Sequence, residues 1–190
     1  MTPALKICGV NNAAFAAEAE RLGANYLGFI FAPGTPRYVT PEQATEIGRG
    51  LAGTARRVGV FVKQSPDEIL AIMRQVGLDV VQLHRRATSD DVAAIRSAGY
   101  EVWTLAGGAP GDGVLFDSSH GDGETVLRKG AYKSILAGGI SAGNLPEVCL
   151  VEPDVVDVSG SLESSRGVKS IPLLRGFFEA WGRVVKGSPV

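Results

Sequence analysis

The sequence has few of the residues on which several protein classes depend. It contains two cysteines, Cys8 and Cys149, in 190 residues, too few for the disulfide framework of a small secreted protein. Its net charge is −1, from 19 Lys and Arg against 20 Asp and Glu, so it lacks the basic surplus typical of nucleic-acid binders. The longest apolar stretch, Tyr26 to Ala32, is too short to span a bilayer, and no secretory signal opens the chain. We expect a cytoplasmic protein that binds neither nucleic acid nor membrane.

Histidine is also scarce. The two histidines, His84 and His120, do not have the spacing of helical metal ligands, and neither a CxxC nor an HExxH motif occurs. The sequence therefore predicts no metal site.

Eight short β-rich runs alternate with helical patterns along the chain. The runs predict strands at Leu5 to Cys8, Tyr26 to Phe31, Val58 to Val62, Val80 to His84, Glu101 to Leu105, Gly113 to Phe116, Ser134 to Ala137 and Val155 to Val158. Helix starts are indicated by Thr40-Pro41-Glu42, Ser65-Pro66 and Thr88, because Ser and Thr cap helices and Pro suits the first helical position. The last helix is predicted at Ile171 to Val185.

This alternation favours a parallel α/β architecture, either a doubly wound sheet or a closed barrel. Eight evenly spaced units favour the barrel, although such barrels usually have about 200 residues or more. Residues 106–112, between the fifth and sixth strands, are too few for a helix. We therefore predict a single compact (β/α)8 TIM barrel over residues 1–190, with a loop in place of the fifth helix.

In such a barrel, catalytic groups lie where the strands end. Cys8 ends the first strand and Asp117 follows the sixth. A cysteine there suits a general base or a nucleophile, but a buried structural cysteine fits the position too. A half-desolvated carboxyl suits a general acid, although an aspartate also starts turns. Arg37 lies in a stiff proline-containing loop, where it either clamps a carboxylate or extends into solvent.

Glycine-containing turns follow the last two strands. Gly138 and Gly139 come after the seventh, and Ser159 and Gly160 after the eighth. Phosphate sites of these barrels are often built at these turns from backbone N–H groups. His84 ends the fourth strand and either faces the barrel mouth or supports a neighbouring group. The sequence thus predicts acid–base chemistry on a phosphorylated small molecule.

These residues lie within blocks that resemble phosphoribosylanthranilate isomerase, a (β/α)8-barrel enzyme family of tryptophan biosynthesis. The blocks occur in the family's order: Lys6-Ile-Cys-Gly9, Gly23 to Phe31, Pro36-Arg-Tyr38, Arg57 to Val62, Val81-Gln-Leu-His84, Leu136-Ala-Gly-Gly139, Val156-Asp-Val-Ser159 and Gly167-Val-Lys169. Together they reach from residue 6 to about residue 170 and are specific, although no single block is.

The resemblance implies an Amadori rearrangement of N-(5-phosphoribosyl)anthranilate without metal or cofactor. It assigns the general base to Cys8, the general acid to Asp117 and the substrate's carboxylate to Arg37. It assigns the phosphate grip to Gly138, Gly139, Ser159 and Gly160. From its place at the end of the fourth strand, His84 is predicted to bind the substrate.

The sequence departs from the family pattern at three places. Arg85 stands where the family usually has glycine, and it either starts a solvated helix or adds positive potential near an anionic substrate. Glu124, in His120-Gly-Asp-Gly-Glu124, stands where the family has lysine. The absence of the fifth helix leaves a flank that a partner subunit could cover, so both a monomer and a homodimer stay open.

Two other functions fit a barrel of this kind. The first is a broad-substrate sugar isomerase shared with histidine biosynthesis. Such enzymes use paired aspartates, whereas Cys8 ends the first strand here. The second is a non-catalytic barrel that binds a phosphorylated ligand, against which the presence of Cys8, Asp117 and Arg37 together argues.

Overall fold

The protein folds into a closed barrel of eight parallel strands. The computed structural model describes residues 2–118 and 132–186. Its barrel strands are β1 (Ala4–Cys8), β2 (Tyr26–Ile30), β3 (Arg56–Phe61), β4 (Val80–Leu83), β5 (Glu101–Leu105), β6 (Gly113–Asp117), β7 (Lys133–Ala137) and β8 (Val155–Val158). They pair in chain order, and β8 closes the barrel by pairing with β1. The predicted TIM barrel is confirmed; β2, β3 and β4 each end one residue earlier than the sequence pattern indicated.

Six helices of the described part surround the barrel. They are α1 (Ala13–Arg21), α2 (Pro41–Arg49), α3 (Pro66–Val76), α4 (Ser89–Ser97), α5 (Leu145–Leu150) and α6 (Ile171–Val185). Thr40, Ser65 and Thr88 each form a capping box at a helix start, so the predicted start signals are confirmed. None of these helices has the length and apolar character needed to cross a membrane.

A short loop, residues 106–112, joins β5 to β6 without a helix, as predicted. Its end is held by Asp112, whose carboxylate accepts a 2.8 Å hydrogen bond from the Val102 backbone N–H. The Gly111 N–H donates to Thr104 Oγ1 at 3.0 Å. These contacts bind the loop to β5, so the barrel closes without a helix at this position.

The barrel interior is filled by alternate residues of the strands, because successive side chains of a strand point to opposite faces. The lower interior is an apolar cluster of Tyr26, Val58, Val80, Trp103, Leu115, Ile135, Ala137 and Val155. Continuing the same alternation places polar residues at the carboxyl ends of the strands: Cys8 on β1, Gln82 on β4, Asp117 on β6 and Asp157 on β8. Inside the barrel, apolar side chains are thus replaced by polar ones toward the carboxyl ends of the strands.

The segment after β8 contains structure that the sequence reading did not predict. A 3₁₀ turn at Gly160–Leu162 leads into an antiparallel pair, β9 (Glu163–Ser165) and β10 (Val168–Lys169). Gly167 connects the pair with φ of +85°, and a Cβ there would lie 2.4 Å from the Pro36 carbonyl oxygen. A glycine at this point lets the hairpin pack against the loop that carries Arg37.

Candidate active site

A cavity of about 570 Å³ opens at the carboxyl ends of the strands. Its lining includes every residue singled out from the sequence as catalytic or substrate-binding: Cys8, Arg37, His84, Asp117, Gly138, Gly139, Ser159 and Gly160. His120 and Glu124 lie outside the described residues. Cys149 lies on α5 and is not part of this lining.

Cys8 is the last residue of β1, and its side chain is almost fully buried. Burial raises the pKa of the thiol, and the nearby ammonium of Lys6 acts in the opposite direction. Gly9 follows with φ of +73°, and a Cβ at that position would lie 2.7 Å from Arg37 Cδ. Glycine therefore permits both the turn after Cys8 and the close approach of Arg37.

Asp117 and His84 face each other across the cavity floor. His84 Nε2 lies 3.7 Å from Asp117 Oδ2, although β4 and β6 are separated by β5 in the barrel. The side chains are 25% and 10% exposed, respectively, so both can reach a ligand in the cavity. The structure therefore places the predicted general acid beside an imidazole.

Arg37 is held by a second carboxylate that the sequence reading missed. Its Nε and Nη2 donate to Glu163 at 2.6 and 2.9 Å, and Lys169 Nζ lies 3.0 Å from the same carboxylate. In the described part of the chain Arg37 Nη1 donates no hydrogen bond, which leaves one edge of the guanidinium for an anion. Arg37 is thus not a solvated surface arginine. Glu163 fixes its guanidinium, and Nη1 is the nitrogen that can bind a carboxylate.

The two glycine-containing turns approach each other above β7 and β8. Ser161 Oγ donates to the Ile140 carbonyl at 2.7 Å, and both Gly138 and Gly139 have positive φ, 88° and 65°. Among residues 2–118 and 132–186, the backbone N–H groups of Gly139 and Gly160 donate to no protein acceptor. Backbone donors without protein partners suit an anion such as a phosphate.

Several charged residues of the site were not identified from the sequence. Lys6 and Asp157 form a buried pair at 2.7 Å, and Glu163 and Lys169 surround Arg37. The available signal was a lone charge at an inward position of an apolar strand, as in Leu5-Lys6-Ile7 and Val156-Asp157-Val158. A charge at such a position needs a partner inside the barrel.

Arg85, one of the departures from the family pattern, lies outside the cavity. It donates two 2.7 Å hydrogen bonds to Asp91, the residue that completes the capping box at Thr88. It is not part of the cavity lining. The structure therefore favours the helix-start interpretation over added potential near a substrate.

No group of three or more His, Cys, Asp or Glu side chains is placed to hold a metal ion within the described residues. The cavity does hold two buried acceptors without a hydrogen-bond donor in that part of the chain, Gln82 Oε1 and Asp157 Oδ1. Buried acceptors are normally satisfied, so these two oxygens are exceptions in the wall of the site.

Residues 5–180 match the family model for N-(5'-phosphoribosyl)anthranilate (PRA) isomerase. The chain belongs to the phosphoribosylanthranilate isomerase family. A relative from Granulibacter bethesdensis, named N-(5'-phosphoribosyl)anthranilate isomerase, is 32% identical, with 95% of this chain and 98% of the relative covered. The family resemblance inferred from the motif blocks is thus confirmed.

Solved structures of phosphoribosylanthranilate isomerases agree with this assignment. The enzyme from Thermus thermophilus superposes with a TM-score of 0.85 at 34% identity, covering 95% of this chain and 99% of that one. A second isomerase was solved in complex with reduced 1-(o-carboxyphenylamino)-1-deoxyribulose 5-phosphate. It has a TM-score of 0.82 at 28% identity, with 97% of this chain and 99% of that one covered.

Proposed function

We propose that this chain is the isomerase of tryptophan biosynthesis that converts N-(5'-phosphoribosyl)anthranilate into 1-(o-carboxyphenylamino)-1-deoxyribulose 5-phosphate. The observation that carries the proposal is one cavity that is lined by Cys8, Asp117, Arg37 and two glycine-containing turns. An acid, a base and two anion sites are what this rearrangement of a substrate with a phosphate and a carboxylate requires.

The two ends of the substrate would hold it across the barrel mouth. Its phosphate would accept hydrogen bonds from the backbone of Gly138, Gly139 and Gly160, while the Ser159 hydroxyl donates to the Cys8 carbonyl at 3.1 Å and positions the turn that carries Gly160. Its anthranilate carboxylate would bind Nη1 of Arg37, because Nε and Nη2 already donate to Glu163. Fixing both ends places the sugar over the cavity floor, which supplies much of the rate acceleration.

The chemistry needs one proton donated and one removed. Asp117 would protonate the ring oxygen of the ribose as the bond from that oxygen to C1 breaks, with the nitrogen lone pair forming an iminium. The Cys8 thiolate would then take the proton from C2, and the C–H electron pair would form the C1=C2 bond of an enolamine. Tautomerisation gives the ketone. Each positioned proton transfer contributes about 10²–10⁴ in rate.

His84 would keep the Asp117 carboxyl oriented toward the ring oxygen and contact the substrate. The 3.7 Å approach of its Nε2 to Asp117 Oδ2 supports this role.

The loss of substrate fluorescence on adding the purified protein tests this function. We expect rapid loss with the wild type and a fall of several orders of magnitude in Cys8→Ala and Asp117→Asn. Cys149→Ser is the matched control, because Cys149 lies outside the cavity, and it should retain wild-type activity. A folded wild type without isomerase activity would contradict the proposal and favour a non-catalytic barrel that binds a phosphorylated ligand. Turnover of a histidine-pathway aldose would instead favour the broad-substrate isomerase.

We further propose that residues 1–190 form one domain and that the enzyme uses neither metal nor cofactor. Undiminished activity after dialysis against a chelator tests the second statement. Light scattering on the purified protein would distinguish the monomer from the homodimer.

A further inference from the structure

A buried ion pair lies next to the Cys8 thiol inside the barrel. Lys6 Nζ donates to Asp157 Oδ2 at 2.7 Å, and the two side chains are 0% and 6% exposed. Lys6 and Asp157 are register partners on the neighbouring strands β1 and β8. Because replacing a buried ion pair by apolar residues is often neutral or stabilising, such a pair is weak evidence for a stability role. Its position two residues before Cys8 on the same face points to the thiol instead.

The geometry brings the lysine stem and the thiol together against one glycine. Gly28 is the register partner of Cys8 on β2. A Cβ at Gly28 would lie 2.9 Å from Cys8 Sγ and 3.2 Å from Lys6 Cε. The space that a side chain of β2 would fill is thus occupied by Lys6 and Cys8, and the Lys6 ammonium lowers the pKa of the thiol against the effect of burial.

Four charged groups act on Cys8 from the surrounding elements. They are Lys6 on β1, Asp157 on β8, Lys169 on β10 and Arg37 on the loop after β2. Lys169 and Arg37 are already bound to Glu163, and the Lys169 ammonium also donates to Ser159. Lys6, although bound to Asp157, is the cation whose stem packs with the Cys8 thiol against Gly28, so it is the one best placed to respond when Cys8 becomes charged.

We propose that Lys6, held in place by Asp157, is a positioning residue that stabilises the Cys8 thiolate on which proton abstraction depends. This rests on the proposed function of Cys8 as the base. When the thiol releases its proton to solvent through the cavity, the Lys6 ammonium balances the new negative charge. When the thiolate takes the C2 proton of the substrate, an S–H bond forms and a C–H bond breaks, and Lys6 stays protonated on Asp157 throughout.

The Lys6–Asp157 arrangement explains how a buried cysteine can serve as a base. Burial raises the pKa of Cys8 and disfavours the thiolate. Burial lowers the pKa of Lys6, but the negative groups around it outweigh burial and raise its pKa above the ordinary value. Lys6 therefore holds its positive charge more firmly than a lysine with an ordinary pKa. Removing the charge of Lys6 and removing the charge of Asp157 should have opposite effects on the thiol.

The test measures the rate of Cys8 alkylation by iodoacetamide as a function of pH, read by mass spectrometry in a Cys149→Ser background. Lys6→Met should raise the midpoint of the profile by about one pH unit or more, a tenfold loss of thiolate below the midpoint. Asp157→Asn should lower the midpoint, because it removes the negative charge that opposes ionisation while its amide oxygen still accepts the hydrogen bond that holds Lys6. Lys133→Met, at the other end of the barrel, is the matched control and should leave the midpoint unchanged.

The opposite signs separate a charge effect from structural damage. A loosened barrel would expose the thiol and lower the midpoint in both variants, which would overturn the proposal, as would an unchanged midpoint in Lys6→Met. If Lys6→Met does not fold, the polar Lys6→Gln takes its place, and an unchanged or lowered midpoint in that variant overturns the proposal.

The alkylation assay needs no substrate, so it separates this inference from the proposed function. If the midpoints shift as expected but the wild type has no isomerase activity, only the isomerase function is contradicted. Unshifted midpoints with an active wild type would contradict the role of Lys6 alone. In active variants, the acid limb of the kcat/KM profile should move in the same direction as the alkylation midpoint, which a merely structural role would not produce.

Discussion

The guanidinium of Arg37 and the carboxylate of Glu163 are joined by two hydrogen bonds, of 2.6 and 2.9 Å, across 126 residues of sequence. The pairing connects the loop after β2 to the hairpin after β8, on either side of Cys8. The Arg37 side chain keeps the pKa of Glu163 at about 2, although burial opposes this, and the Gly167 N–H and Lys169 contribute in the same direction. Glu163 is thus a carboxylate at any physiological pH and fixes the orientation of Arg37.

Glu163→Gln should weaken substrate binding more than catalysis. The amide keeps the shape but accepts only one of the two arginine hydrogen bonds and carries no charge, so Arg37 loses its fixed orientation. We expect KM to rise about tenfold, since losing a hydrogen bond to a charged group costs about 1.5–3 kcal/mol, while kcat falls less. Steady-state kinetics measures both. Ser165→Ala, an exposed change on the same hairpin, should leave KM unchanged; a tenfold fall in kcat at constant KM in Glu163→Gln would contradict the assignment.

Arg85→Ala should reduce stability and leave activity intact. Arg85 forms a partly exposed ion pair with Asp91 of the capping box of α4, so its removal should cost at most about 1 kcal/mol. Thermal unfolding and the isomerase assay measure the two effects separately. A clear rise in KM would instead revive the interpretation that Arg85 adds positive potential for the substrate. Arg86→Ala is the neighbouring control, for which neither quantity should change.

Acid should destabilise the protein partly through Glu101 at the amino-terminal end of the barrel. Burial raises the pKa of Glu101, but hydrogen bonds from Lys133, Trp103 and Arg56 outweigh it and lower the pKa to about 2. A carboxylate with a lowered pKa in the folded state contributes stability above its unfolded pKa, about 4.3. That stability is lost as pH falls through the folded value.

Glu101→Gln should therefore be less stable than the wild type at pH 7, by about 1–3 kcal/mol, and the difference should shrink between about pH 4 and pH 2. Urea unfolding at several pH values measures it. A difference that stays constant with pH would exclude the charge of Glu101 as the cause. Glu46→Gln, an exposed glutamate on α2, should show little effect at either pH.

Gly113→Ala should destabilise the barrel where the loop replaces the fifth helix. A Cβ at Gly113 would lie 2.7 Å from Trp103 Cδ1 and 2.8 Å from Ile135 Cδ1, and such overpacking costs about 1–3 kcal/mol. Gly176→Ala is the matched control, because a Cβ there meets nothing within 4 Å. Since alanine favours a helix over glycine by about 1 kcal/mol, Gly176→Ala should raise the melting temperature while Gly113→Ala lowers it. Equal shifts in both variants would contradict this.

Much of the fold was predictable because its signals are local. Thr40, Ser65 and Thr88 accept hydrogen bonds from backbone groups three residues later, so the helix starts are encoded within a single turn. The absence of a helix between β5 and β6 was predictable because residues 106–112 are too few to form one. Cys8 and Asp117 were identifiable because the ends of parallel strands meet at one rim of a barrel.

The groups that hold the site in place depend on residues far apart in the chain. Lys6 meets Asp157 only because β8 closes the barrel against β1, and Arg37 meets Glu163 only because the hairpin after β8 packs on its loop. A sequence pattern shows that a charge lies in an apolar strand, but not which charge it will meet. The sequence by itself therefore determined where the strands and helix starts lie and which apolar strands carry a charged residue. The partner of each buried charge, and with it the electrostatic environment of Cys8, was decided by barrel closure.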